Sequence, residues 1–431
     1  MLIEDLYKIY LNHPVICTDT RKISSGCLFF ALKGDNFDGN AFAEQALKQG
    51  AAFVVIDDSA VKVNDQMLLV EDVLTTLQQL AAFHRNQLSI PFIGITGTNG
   101  KTTTKELIKS VLSTKYITYA TQGNLNNHIG VPLTILAIDK SVEIAIIEMG
   151  ANHQQEIAAL CQIAKPDMGL ITNVGKAHLE GFGGFEGVKK GKGELYDFLK
   201  STSGLVFVNQ DNNHLKEMVN EREISNVSYY CTLSNCILKG ELVENNPFLV
   251  IDWIADKEAH RVKTNLTGAY NLENILAAIA IGKHFGLSAG EINDGLKNYH
   301  PGNNRSQILK TATNILICDF YNANPSSMSV ALINFSSISA NKKVLILGDM
   351  FELGQESDSE HQSIVNKALG TKADKIIFIG KLFFQNKIEG ATFYKTTEDA
   401  LKNMRLNPIK RSTILIKGSR GMRMEKLIEV L

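Results

Sequence analysis

The sequence predicts an α/β protein built on parallel, doubly wound sheets. Short apolar runs alternate with helical patterns along most of the chain, and one of them, PFIGIT at 91–96, enters a glycine-rich turn that opens a helix. A second series of the same kind fills the end of the chain, from ILICDF to STILIKG. Strands alternating with helices favour parallel sheets, because a parallel pair needs a crossover long enough to hold a helix. At 431 residues the chain is too long for one ordinary core, so two or three units are expected.

The first unit, 1–88, mixes the apolar runs CLFFAL and AAFVVID with a helical pattern from Ala41 to Gln49, and reads as a small α/β module. The central unit, 89–300, starts where PFIGIT leads into a helix over Lys101–Ser113. Strands are expected within Glu143–Gly150, Asp167–Gly175 and Gly204–Asn209, and the patch from Asn212 to Lys263 suggests antiparallel strands in FLVIDWI and HRVKTNL. The third unit, 301–431, begins near His300-Pro301. Its strand candidates are ILICDF, KKVLILGD, KIIFIG, ATFYK and STILIKG, a Rossmann-like series covering about Asn303 to Leu431.

An apolar fraction of 44% with 21% charged residues is that of a soluble globular protein. The formal net charge of -1 removes the usual footprint of a nucleic-acid binder. An anionic ligand would therefore be held by local groups rather than by a global field. Cys17, Cys27, Cys161, Cys231, Cys236 and Cys318 are scattered, with no second close pair to complete a zinc site, so reduced thiols are expected. The N-terminal MLIEDLYKIYLNHP carries acids where a signal peptide has a basic region, and no apolar run approaches the ~20 residues that span a bilayer. These features point to a cytoplasmic protein without membrane insertion.

The sharpest motif is Gly97-Thr98-Asn99-Gly100-Lys101-Thr102-Thr103 between the strand and the helix. Glycines let backbone N–H groups turn inward around phosphate oxygens, and the helix N-terminus adds its dipole. Lys101 can reach the β- and γ-phosphates and the Thr102 hydroxyl can ligate Mg²⁺. A strict phosphate-loop pattern has glycine at 95, where this chain has Ile95. Glu148 ends the apolar strand EIAIIEMG, a position suited to Mg²⁺ beside a phosphate loop. His178 follows the next strand in NVGKAHLEGFGG; spacing alone leaves it either structural or a ligand. Lys192 lies in the basic run KKGKGE, where spacing alone is that of a solvated lysine.

The form GTNGKTT resembles that of the Mur ligases, which build the peptidoglycan precursor, and of their relative folylpolyglutamate synthase. The resemblance extends over nearly the whole chain. It implies the three-domain architecture of that family: a UDP-binding N-terminal module, a central ATPase domain and a C-terminal Rossmann-like domain. It also implies ATP and two Mg²⁺ ions, with Thr102, Glu148, His178 and Lys192 around the metals and a CO₂-derived carbamate on Lys192. Lys101, Lys192, His178 and Glu148 would then be the catalytic set. ATP would meet Gly97 to Thr103, then Asn271 and Asn274 of GAYNLENILAA, and Arg305, Asp319 and Asn322. The family usually has histidine where this chain has Tyr270. Thr18-Asp19-Thr20-Arg21 resembles the Asp-Ser-Arg of the UDP-binding module, so Thr20 and Arg21 would touch the precursor.

Within the family, Asn124, Asn126 and Asn127 of GNLNNHIGVP and the turn Asp319-Phe320-Tyr321-Asn322-Ala323-Asn324-Pro325 resemble one branch. That branch adds D-alanyl-D-alanine to UDP-N-acetylmuramoyl-tripeptide through an acyl phosphate, and a monomer is expected. The alternatives are a sibling amino-acid ligase, a folylpolyglutamate synthase-like ligase, or a nucleotide-binding switch without ligase chemistry.

Overall fold

A computed structural model describes residues 1–302 and 304–431, so the expected start of the third unit at Asn303 lies outside the described residues. Among the described residues the strands form sheets of four, nine and six, with a separate two-stranded ribbon. In the first sheet Ile16–Cys17, Leu28–Phe30, Phe53–Ile56 and Met67–Leu69 lie side by side, all parallel. The helical pattern at Ala41–Gln49 appears as a tight 3-10 turn, Gly39–Phe42, running into the helix Ala43–Lys48.

The nine-stranded sheet places Phe92–Thr96 between Met168–Ile171 and Ile144–Glu148. Chain order reverses around that strand, which makes a crevice at its C-terminal end. Beyond Met168–Ile171 the sheet continues through Leu205–Asn209 and Val227–Cys231. It ends in Leu238–Asn245, Leu249–Ala255 and Glu258–Lys263, an antiparallel group where FLVIDWI and HRVKTNL suggested one. Side chains alternate faces along a strand. Phe92 accordingly enters the core on one side of the sheet, and Ile93 and Ile95 enter the core on the other. Helices Lys101–Leu112, Asn271–His284 and Ala289–Asn298 pack together over that second face.

The first core is shared. Leu6, Tyr10, Leu77 and Leu80 of the N-terminal unit join Phe92, Ile135 and Ile147 in one apolar cluster. Polar bonds fasten the same joint: Arg85 donates to the carbonyl oxygens of Ala164 and Lys165 and to Asp167, and Tyr10 donates to Leu136 O at 2.6 Å. The last sheet runs in the order Gln307–Lys310, Ile315–Asp319, Thr413–Lys417, Lys343–Gly348, Lys375–Ile379, Thr392–Tyr394. Its first strand is antiparallel to its neighbour and the others run parallel, and its two faces hold apolar clusters of their own.

One expectation is corrected. Cys231 and Cys236 are joined in a disulfide, while Cys17, Cys27, Cys161 and Cys318 are free and buried. Asp211 accepts hydrogen bonds from the backbone of Thr232, Leu233 and Ser234, and this folds the intervening turn so that the two cysteines meet. Among the described residues no helix is long and apolar enough to cross a membrane.

Candidate active site

Three adjacent strand ends build the site. Phe92–Thr96 delivers the loop 97–102, Ile144–Glu148 delivers its last residue, and Met168–Ile171 delivers the segment 172–178. Ile95, standing where glycine was expected, is fully buried and paired in register with Glu148. The strand therefore continues through Thr96, and the turn starts at Gly97. Only glycine fits there: at φ +141° a Cβ would stand 2.0 Å from Thr172 Oγ1. Gly100, at φ +80°, would push a Cβ to 2.8 Å from Asn274 Oδ1. Thr98 N donates to Asn173 O and Asn99 N to Asn173 Oδ1, so Asn173, which the sequence reading passed over, holds the loop in shape. Lys101 folds back on the loop and donates to Gly97 O at 2.7 Å and Thr98 O at 3.1 Å. Burial lowers its pKa, as does the charge of Arg305, while Glu148 opposes both.

Glu148 is 1% exposed. Its Oε1 accepts from Thr102 Oγ1 at 3.2 Å and from Asn126 Nδ2 at 2.8 Å, and its Oε2 is buried without a hydrogen bond. The ammonium of Lys105, fully buried, lies 3.8 Å from that oxygen. Lys105 was also passed over; it sits one helical turn after Lys101, on the same face. Among the described residues no three His, Cys, Asp or Glu side chains gather as a metal-ion site. The donor set here is one carboxylate, one hydroxyl and one amide.

Lys192 is not a solvated lysine. On the helix Phe185–Ser201 it is 2% exposed, while Lys190 faces outward. Its Nζ donates to Ala151 O at 3.2 Å and lies 4.9 Å from the centre of the Phe182 ring. The flanking glycines allow this packing, for a Cβ at Gly191 would meet Phe182 at 2.5 Å and one at Gly193 would meet Arg222 at 2.4 Å. Burial first, and the charge of Lys101 second, bring the Lys192 pKa down to about 7. His178 Nδ1 pairs with Glu352 of the last unit. Burial lowers the pKa of His178, Glu352 raises it, and Lys101 and Lys192 lower it further.

The remaining residues come together around one cavity of about 740 Å³, lined by residues from the loop 98–103, Asn124, Asn126, Asn127, Glu148, His178, Asn271, Asn274, Arg305, Asp319 and Asn322. Several of these side chains are already engaged. Asn127 Oδ1 accepts from the N–H groups of Ile129 and Gly130, just where the helix Gly130–Leu136 begins. Asn274 bonds to both Asn271 and Thr104, and Asp319 accepts from Lys417 Nζ at 2.6 Å. Arg305 stacks 3.7 Å from the centre of the Tyr321 ring, and Tyr270 bonds to Ser306 at 2.7 Å. Thr20 and Arg21 stand apart on the 3-10 turn Thr20–Lys22, where the Arg21 guanidinium grips Asp19.

A glycine loop at a sheet's switch point, with buried cations beside it and a second Rossmann-like sheet facing it, defines a nucleotide-binding α/β protein. Comparison with known proteins makes the class definite. Residues 95–282 match the Mur ligase middle domain, 304–420 the Mur ligase glutamate ligase domain, and 14–85 the Mur ligase family catalytic domain. The chain belongs to the Mur ligase family. It is 35% identical to the UDP-N-acetylmuramoyl-tripeptide–D-alanyl-D-alanine ligase of Bacillus subtilis, over 96% of this chain and 92% of that one. Its fold matches crystal structures of MurF from Acinetobacter baumannii (TM-score 0.89, 29% identity, 99% and 97% coverage) and of MurF from Thermotoga maritima in complex with ADP (0.86, 26%, 97% and 97%).

Proposed function

We propose that this chain joins D-alanyl-D-alanine to UDP-N-acetylmuramoyl-tripeptide at the expense of ATP. One observation carries the reading: the phosphate loop and the turn after Ile315–Asp319 line the same cavity, in a chain that aligns nearly end to end with ligases of that name. The tripeptide carboxylate attacks the γ-phosphorus, a new P–O bond forms, and ADP leaves with the electrons of the broken bond. The dipeptide amine then attacks the acyl carbon of the resulting acyl phosphate; the C–N bond forms, inorganic phosphate leaves, and the amine loses a proton. Loop N–H groups, Lys101 and Arg305 face the charge that develops on the phosphoryl oxygens. Thr20 and Arg21 would meet the uridine diphosphate end.

Magnesium fits the residues present. The unbonded, buried Oε2 of Glu148 beside the Thr102 hydroxyl is a hard oxygen pair, and Mg²⁺ takes few protein ligands when phosphate oxygens and water complete its shell. Thr102 and Glu148 would hold one ion, His178 and a carbamylated Lys192 a second; the ions would neutralise phosphate charge. Burial brings the Lys192 pKa down to about 7, so a substantial share of the amine is neutral and nucleophilic at neutral pH, which is what CO₂ capture requires.

ADP release measured with the UDP-precursor and a panel of acceptors tests the assignment. D-alanyl-D-alanine should be strongly preferred, with a product heavier by one dipeptide residue mass. Efficient use of diaminopimelate, lysine or glutamate as sole acceptor would move the chain to a sibling activity.

A further inference from the structure

Asn99 was assigned to the nucleotide with the rest of its loop, yet its side chain points elsewhere. Its peptide is held from behind: the N–H donates to Asn173 Oδ1, and the carbonyl accepts from Thr172 Oγ1 at 2.6 Å and Asn173 Nδ2 at 3.1 Å. The side-chain amide reaches the far half of the chain and closes a ring of three hydrogen bonds. Asn99 Nδ2 donates to Ser326 Oγ at 2.8 Å, Ser326 Oγ donates to Asn324 Oδ1 at 2.9 Å, and Asn324 Nδ2 donates to Asn99 Oδ1 at 2.9 Å.

The direction of every bond in the ring is fixed by one backbone group. Ser327 N–H donates to Asn324 Oδ1 at 2.8 Å as the cap of helix Pro325–Ser337, so the Asn324 nitrogen must be the atom that faces Asn99. Asn99 then presents its oxygen to Asn324 and its nitrogen to Ser326. The contact is also close, since a Cβ on Gly175 would come within 3.0 Å of Ser326 Oγ.

We propose that Asn99, Asn324 and Ser326 form a latch that seats the C-terminal unit on the phosphate loop, making all three positioning residues for the attack of the amine. The proposal rests on the ligase reading above, and takes the turn after Ile315–Asp319, which lines the same cavity as the phosphate loop, as the side that presents the acceptor. The acyl phosphate forms at the loop, and its attack requires reacting atoms roughly 3–3.5 Å apart. The ring ties the loop peptide to the helix that follows the acceptor-side turn, so an error in seating becomes an error in that distance.

The test uses Asn99→Ala, Ser326→Ala and the double variant in the full-length protein; Ser326→Ala leaves the Asn324 cap on Ser327 in place. Each single change should lower kcat/KM for the acceptor roughly ten- to a hundredfold, with a smaller change in the dissociation constant for ATP. The double variant should be no worse than the poorer single one, because either change opens the same ring. Losses that multiply would overturn the latch. Amide hydrogen exchange on the unliganded protein decides the same point without turnover. Ser326→Ala should speed exchange at residues 97–101, and Asn99→Ala at residues 323–328. Exchange altered only around the substituted residue would overturn the proposal. A wild-type protein that releases no ADP in response to the dipeptide would instead refute the ligase reading, leaving the exchange result to judge the latch.

Discussion

Two lysines of one charge class serve the site in opposite ways. Lys101 bonds to its own loop carbonyls at 2.7 and 3.1 Å, a geometry that water can replace when the side chain is removed. Lys101→Ala should therefore cost less than ~1 kcal/mol of stability while lowering turnover roughly 100- to 1,000-fold. Thermal melting and steady-state kinetics check both halves, and near-normal turnover would refute the nucleotide site. Lys192 sits nearly sealed between Ala151 O and the Phe182 ring, where burial disfavours the ammonium form. Carbon-13 bicarbonate should give a carbamate resonance in the wild type that vanishes in Lys192→Ala. The variant should be nearly inactive, and a short carboxylic acid in the buffer should restore part of the activity. A fully active Lys192→Ala enzyme would remove the second metal and leave one at Thr102 and Glu148.

Among the elements, the strand–loop–helix at 92–112 was the most legible. Its signal is local: an apolar run, glycines where φ turns positive, and Lys-Thr at the helix start. Placing Glu148 beside it needed only the rule that parallel strands end on one edge. The inward turn of Lys192 was not legible, because KKGKGE looks polar on every face and only the packing of Phe182 and Arg222 against its glycines reveals the buried side. The pairings of Asn99 with Asn324 and of His178 with Glu352 join residues far apart in sequence, which no periodicity encodes. Gly97→Ala tests the loop directly. With the Cβ forced to 2.0 Å from Thr172 Oγ1, the change should cost ~2 kcal/mol or more and abolish nucleotide binding by calorimetry. The helix Val73–Gln87 carries a different test. His84 accepts burial between Tyr7 and Ile138 O, and burial lowers its pKa. The unfolded chain then binds more protons below about pH 6.5. Stability should fall as the pH drops below that value, and His84→Gln should flatten the slope in denaturant titrations at pH 7 and 5.5.

At the scale of the molecule, the two joints differ in kind. The C-terminal unit meets the centre through polar groups: the Asn99 ring, His178 with Glu352, and Lys176 with Glu360 at 2.7 Å. An exposed ion pair contributes little, so Lys176→Ala should change stability by less than ~0.5 kcal/mol. It should still raise the radius of gyration in small-angle scattering by favouring an opened form; an unchanged profile would count against that. The N-terminal joint is built around a shared apolar core, with Leu77 and Leu80 in the same cluster as Phe92 and Ile135. Severing the chain near Pro301 would give a carboxy-terminal piece that keeps its whole oily interior. Severing it near Leu88 would tear that interior in two and leave both pieces prone to precipitate. Whatever swings during turnover is therefore the unit hung on water-replaceable bonds, and the first two sheets travel together as one body.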